Sequence, residues 1–258
     1  MTPRAASPWL QSSDVVEAVS ASEFAVFGLA HDVTLGVFVV VAAALVIAGR
    51  WFRGTLTQWR LSRILGVVFA TILVLNEVYW LWPGHSQVLY SLPLQLCDVA
   101  AMASVWALWS QSKTPFALTY FWGLTLTSQA LLTPVLHQRF ASLPFWTFFG
   151  LHSLVVWAAI YLTWGVGLRP DWRSYRVAVL ATMCWGLVMF TFNRLAATNY
   201  GFLDAKPQVK SILDLLGAWP WYLLSEVVLG AAVWALLTWP WARTARPGGL
   251  RKLGGEAG

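Results

Sequence analysis

The sequence predicts an all-α polytopic membrane protein of seven transmembrane helices, with its N-terminus outside and its C-terminus in the cytoplasm. Composition is the first observation: of 258 residues, 58% are hydrophobic and 11% charged, against roughly 25% charged in an average soluble domain. The second is that apolar runs of about 20 residues, the length that crosses a bilayer, recur down the chain. The third is the placement of basic residues, which alternates from one loop to the next and requires an odd number of crossings.

Seven runs meet the length requirement: 33–49, 62–82, 92–110, 116–133, 144–166, 176–196 and 219–240. Residues 1–30 precede them as an extracytoplasmic segment containing Asp14, Glu17 and Glu23, with no positive region leading directly into a short apolar one, so a cleavable signal peptide is not expected. Residues 31–240 form the membrane domain. Residues 241–258, ending in ARPGGLRKLGGEAG, read as a flexible cytoplasmic tail. Tryptophans at span ends, such as Trp80, Trp82, Trp219, Trp221, Trp239 and Trp241, suit the membrane interface.

The first, third and fifth loops and the tail carry twelve basic residues: Arg50, Arg53, Arg60, Arg63, Lys113, Arg169, Arg173, Arg176, Arg243, Arg246, Arg251 and Lys252. The opposite side carries four, Arg4, Arg139, Lys206 and Lys210. This asymmetry orients the protein in a cell membrane, as in the bacterial cytoplasmic membrane, and accounts for the net charge of +6 without a nucleic-acid partner. Cys97 and Cys184 fall in separate spans, which suggests neither a disulfide framework nor a CxxC metal site. The four histidines are scattered with no HxxxH or HExxH, so no metal or other cofactor is expected, and the seventh span has no lysine for a retinal Schiff base.

The intramembrane polar residues gather in the outer half. Asn76 and Glu77 close span two, Gln95, Cys97 and Asp98 open span three, and Gln129 and Thr133 close span four. His152 lies in span five, Asn193 and Arg194 at the outer end of span six, and Glu226 about two turns into span seven. The inner halves, such as VVWAAIYLTWG and VLGAAVWALLTW, are almost purely apolar. Ionisable side chains cost about 2.5–3.5 kcal/mol each at a span centre on insertion scales, so they are expected to face protein or a wet, outward-opening pocket. The simpler role is pairing, with Asp98 or Glu226 bound to Arg194 to hold the bundle together.

Pro93 reads as a first-turn proline, which puts Cys97 near a helix N-terminus, where partial positive charge favours a thiolate and apolar surroundings oppose it. His152 is the one histidine expected well inside a span; His31, His85 and His137 fall at outer ends or loops. Counted from the leading prolines, Cys97 lies about 6–8 Å down and His152 about 12 Å down, so a modest tilt brings a Cys–His pair together. Asp98 points about 100° away from Cys97 and is expected to anchor the bundle. Against catalysis stands the ordinary role of a buried cysteine as a small core filler beside Ala100, Ala101 and Ser104.

The segment FNRLAATNYGFLDAKPQVKSILDLLGAWPWYLLSE (192–226), with LPLQLCD (92–98), resembles the bacterial YwaF-like integral membrane family, related to the eukaryotic transmembrane protein 164 family. The resemblance covers about residues 30–240 and implies an acyltransferase that carries fatty acyl chains between phospholipids on a cysteine, Cys97, with His152 as its base. Membrane phospholipids or lysophospholipids are then the partners, and transfer to a lyso-lipid or hydrolysis are both open. Asn76, Gln95, Asn193 and Asn199 are candidate donors to the ester carbonyl, Arg194, Lys206 and Lys210 candidate phosphate ligands, and Glu77, Tyr200 and Glu226 further substrate contacts. The loop TNYGFLDAKP reads equally as a cap joining spans six and seven. The competing function is a transporter or ligand-binding membrane protein, suggested by a weak echo of Pro93…Cys97-Asp98-Val99 in Pro220…Ser225-Glu226-Val227.

Overall fold

The computed structural model describes residues 26–82, 92–134, 142–207 and 212–244, and these are helical with no β-strand among them. Helix α1 (Leu29–Trp51) is followed by α2 (Leu56–Leu81) and the short α3 (Leu96–Ser110). A fourth rod runs without a break through α4 (Lys113–Trp122), a π-helical stretch π1 (Gly123–Thr127) and α5 (Ser128–Leu132). The fifth is α6 (Leu143–Ile160) continued by π2 (Tyr161–Val166), and α7 (Trp172–Ala196) and α8 (Trp221–Thr244) complete the bundle. Short 3₁₀ turns, Tyr200–Phe202 and Ile212–Leu216, join the last two.

Polar residues set the helix starts. Thr55 Oγ1 accepts the Gln58 N–H before α2, Ser142 Oγ accepts the Phe145 N–H before α6, and Asp171 accepts both the Ser174 N–H and its hydroxyl before α7. Each satisfies a backbone donor that the first helical turn leaves open. The expected span three, 92–110, begins instead at Leu96: Gln95 is the N-cap, its N–H held by Asp98 Oδ2 at 2.9 Å, and Pro93 lies outside the helix. Cys97 is therefore the second helical residue.

Among the described residues, five helices are long and apolar enough to cross a membrane: α1, α2, the α6–π2 rod, α7 and α8. The third and fourth expected spans fall short of that measure, the third by length, since α3 starts at Leu96 and has 15 residues, and the fourth by composition, which packing explains. α4 is enclosed by the other helices, with Phe116, Ala117, Thr119, Tyr120, Phe121 and Trp122 all buried. α3 turns Ala100, Ala103, Ser104 and Ala107 inward. A helix that meets protein rather than lipid is not required to be uniformly apolar. The outer helices are inverted by comparison with a water-soluble bundle, exposing Val37, Val40, Ile47, Val67, Leu75, Leu187 and Val228.

One end of the bundle holds the turns 52–55, 111–112 and 167–171. Arg53 donates to the Trp164 and Gly165 carbonyls, Lys113 pairs with Asp171 at 3.2 Å, and Arg169 lies over Trp241. The basic loops thus converge at one end. That end is also more polar than expected: Gln58, Ser62, Gln111 and Tyr161 form a hydrogen-bonded net reaching into the core. Gln58 and Gln111 fall just outside the expected spans and Ser62 and Tyr161 within them, and the net stayed concealed because each finds partners distant in sequence.

Candidate functional site

The opposite end brings Asn76, Glu77, Gln95, Cys97, Asp98 and Tyr200 together. Gln111 Nε2 donates to Ser62 Oγ at 2.8 Å, and a side chain on Gly66 would meet Leu108. Counting outward by equal steps along these antiparallel helices puts Asn76 and Glu77 level with Cys97 and Asp98. Asn76 Nδ2 donates to Glu77 Oε1 at 3.2 Å, and Glu77 lies near enough to Asp98 for the two carboxylates to repel.

Asp98 does not pair with Arg194, which instead meets Asp204 at 3.2 Å. One Asp98 oxygen caps α3, and the other accepts the Cys97 thiol at a sulfur–oxygen distance of 3.8 Å. The expectation that neighbouring side chains diverge is corrected here. In the first turn Asp98 folds back toward the helix start, where the thiol also lies. The Tyr200 phenol, which donates to the Leu92 carbonyl, is pushed above its ordinary pKa by burial and by the nearby Asp98 and Glu77 charges.

A groove of about 570 Å³ opens beside this cluster, between Ile72, Leu75, Asn76, Val78, Tyr79 and Trp82 on the α2 side and Leu143 and Thr147 on α6. Its walls are apolar apart from Asn76 and Thr147. Asn76 is the residue of the cluster that lines it, and the Asn76–Glu77 hydrogen bond leads from the groove toward Asp98 and the thiol.

His152 lies on the same rod as Thr147, about two turns deeper than Cys97, or on the order of 10 Å along the axis. No hydrogen bond joins it to Cys97 among the described residues. Its Nδ1 lies 2.7 Å from the Phe148 carbonyl, and its ring packs at a 31° tilt on Phe148 with centroids 4.2 Å apart. A carbonyl only accepts, so Nδ1 carries the proton and Nε2 offers its lone pair. The ring leans outward, toward the level of Cys97. His31 lies in the first turn of α1 and is fully buried: its Nδ1 accepts the Phe27 N–H, so Nε2 donates to the Leu131 carbonyl at 2.8 Å. His85, His137, Arg139 and Lys210 lie outside the described residues.

The other expected contacts build a cap. Asn193 Oδ1 accepts from Thr198 Oγ1 and the Tyr200 N–H, while its Nδ2 donates to the Tyr200 carbonyl. Asn199 bonds Asp204 and Ala205, and Gln95 Oε1 accepts the Gly201 N–H at 3.0 Å. Tyr222, at the start of α8, closes the loop by donating to the Phe202 carbonyl. Lys206 pairs with Asp214 and lies over the Tyr222 ring. Glu226, one turn further along α8, is half-buried. The cap thus ties α3, α7 and α8 together above the thiol.

Sequence reasoning missed Thr127 and Trp185. Trp185 Nε1 holds the Leu94 carbonyl at 3.0 Å and fixes the approach to α3. Neither has a local motif: Trp185 bonds a segment distant in sequence, and the Thr127 hydroxyl has no hydrogen-bond partner among the described residues. Among the described residues no group of three or more metal-binding side chains occurs. No curated protein and no solved structure matches the chain. The family model that does match covers residues 26–238, nearly all of the bundle and its cap, and the chain belongs to the TMEM164 family.

Proposed function

We propose that this integral membrane protein is a lipid acyltransferase or esterase that carries the acyl group on Cys97. The observation that carries this reading is the Cys97 thiol bonded to the Asp98 carboxylate beside an apolar groove. Asp98 takes the thiol proton as sulfur attacks an ester carbonyl. The ester C–O bond breaks, the departing lyso-lipid oxygen recovers that proton, and a thioester remains on Cys97. An acceptor hydroxyl, of a lyso-lipid or water, then releases the acyl chain with His152 Nε2 as base. The groove suits an acyl chain, and the Asn76 amide at its edge suits the ester.

Arg194 is the cation best placed for a phosphate, because its side chain stays 56% exposed beside Asp204. Gln95, Asn193, Asn199, Tyr200 and Lys206 support the cap, and Glu226 extends the polar wall below it. The seven helical rods cross a cell membrane with the basic end cytoplasmic, so the thiol serves the outer leaflet.

The experiment is labelling of the purified protein in lipid with a thiol-reactive acyl mimic, comparing wild type, Cys97→Ser and His152→Ala, all shown to be folded. Stoichiometric label on Cys97 that turns over more slowly without His152 supports the acyl-enzyme. Label on the exposed Cys184 alone would remove it. The Glu77–Asp98 carboxylate pair favours a second reading, outward-facing binding of a cationic small molecule, and an inert Cys97 would leave that one standing.

A further inference from the structure

Thr127, the last residue of π1, is 2% exposed, and its hydroxyl has no hydrogen-bond partner. The other aliphatic hydroxyls near it on the fourth rod fold back on their own helix: buried Thr119 donates to the Pro115 carbonyl, and half-buried Thr125 and Ser128 donate to Phe121 and Leu124. A buried hydroxyl without a partner loses its hydration with nothing in return and calls for an explanation. π-helical stretches inside α-helices occur frequently at functional sites.

The packing of the fourth rod on α6 shows what Thr127 faces. A side chain on Gly123 would meet Val155 and Ala159. Leu131, two turns outward, clusters with Phe145 and Phe149. Thr127 is midway between Gly123 and Leu131, so in this antiparallel register it comes level with the turn carrying His152. Among the described residues His152 Nε2 also has no hydrogen-bond partner. Two polar groups, one able to donate and one able to accept, thus lie at about one level of the packed fourth rod and α6.

We propose that Thr127 Oγ1 and His152 Nε2 together bind the hydroxyl group of the acyl acceptor, a lyso-lipid alcohol or water. This rests on the reading of Cys97 as the acyl carrier. Thr127 donates to a lone pair of the acceptor oxygen, and that oxygen donates its own hydrogen to Nε2. As the oxygen attacks the thioester carbonyl, its proton goes to Nε2, the C–S bond breaks and the new ester or acid forms. The proton on His152 then passes back to the departing sulfur, restoring both groups. Thr127 therefore acts in the second half-reaction and has no part in loading Cys97.

The test loads Cys97 in nanodiscs with a fluorescent-acyl phospholipid and follows decay of the hydroxylamine-sensitive label, with and without added lysophospholipid. Thr127→Val is expected to load at the wild-type rate and to release the acyl group roughly tenfold more slowly, the size of one lost neutral hydrogen bond, while Thr127→Ser keeps near-normal release. Slowing in the lysophospholipid arm alone assigns the site to a lipid acceptor, and slowing in both arms to water as well. Release from Thr127→Val at the wild-type rate overturns the proposal and leaves the acyl-enzyme intact. A wild type that forms no thioester overturns both. Folding does not confound the comparison if Thr127→Val unfolds no earlier than wild type, as removal of an unpartnered hydroxyl predicts.

Discussion

At Asp98, charge and proton affinity make opposite predictions for the thiol beside it. As a bystander, the carboxylate opposes a second negative charge on Cys97, and Asp98→Asn would then speed acylation. As the proton acceptor it makes attack possible, and Asp98→Asn, which keeps the size and the capping oxygen, is expected to slow acylation by about 10²-fold or more. Pre-steady-state acylation of the two proteins gives the sign. Asp98→Ala also removes the cap on the Gln95 N–H and is expected to cost about 1 kcal/mol of stability, visible in thermal unfolding. Cys97 was legible as a candidate because a thiol stands out in an apolar run. The role of Asp98 was not, because helical periodicity describes a helix interior and fails in a first turn where a side chain folds back to cap.

Along the helices, the same capping chemistry repeats where water reaches it. Asp171 before α7 is opposed in ionising by partial burial, but the Ser174 N–H, the Ser174 hydroxyl and Lys113 outweigh this and hold its carboxyl below the ordinary range. A depressed folded value means that the contribution is present at neutral pH and is lost as pH falls through the ordinary carboxylate range toward that value. Asp171→Ala is expected to lower stability by about 1 kcal/mol at pH 7, with the gap to wild type closing in acid. Denaturation curves at the two pH values check it. The cap makes a stricter steric demand: Gly201 has φ +66°, and a Cβ there would collide with the Trp185 ring. Gly201→Ala is expected to cost at least about 1–2 kcal/mol from the left-handed backbone alone, and more from the collision. Thermal unfolding in lipid measures it. The loop 192–226 was recognisable as a unit, and its reading as a cap was legible beside the ligand reading. That Asn193 and Asn199 turn their amides onto the loop itself was not, since an amide in a sequence does not show which backbone it will meet.

For the whole bundle, hydropathy located the helical rods among the described residues but described each as though it met lipid on all sides. The structure separates enclosed helices from lipid-facing ones. α4 and the inward stripe of α3 are wrapped by five longer helices, which is why Trp122 is buried while Trp146 on α6 remains half exposed. The positive-inside argument acquires geometry from the same packing, because Arg53, Lys113 and Arg169 converge on one end through contacts between non-adjacent loops. If that end is cytoplasmic, a cysteine at Ser112 is shielded from an impermeant thiol reagent in intact cells, and one at Leu215, 84% exposed at the opposite end, is labelled. Inverted vesicles reverse the pattern. The comparison uses a Cys97→Ser, Cys184→Ser background, so that neither native thiol reports. Labelling of Ser112→Cys from outside would turn the molecule over, place the thiol and its groove against the inner leaflet, and make cytoplasmic lipid the substrate pool. The orientation therefore decides which leaflet the chemistry serves, although the contacts within the bundle are the same either way.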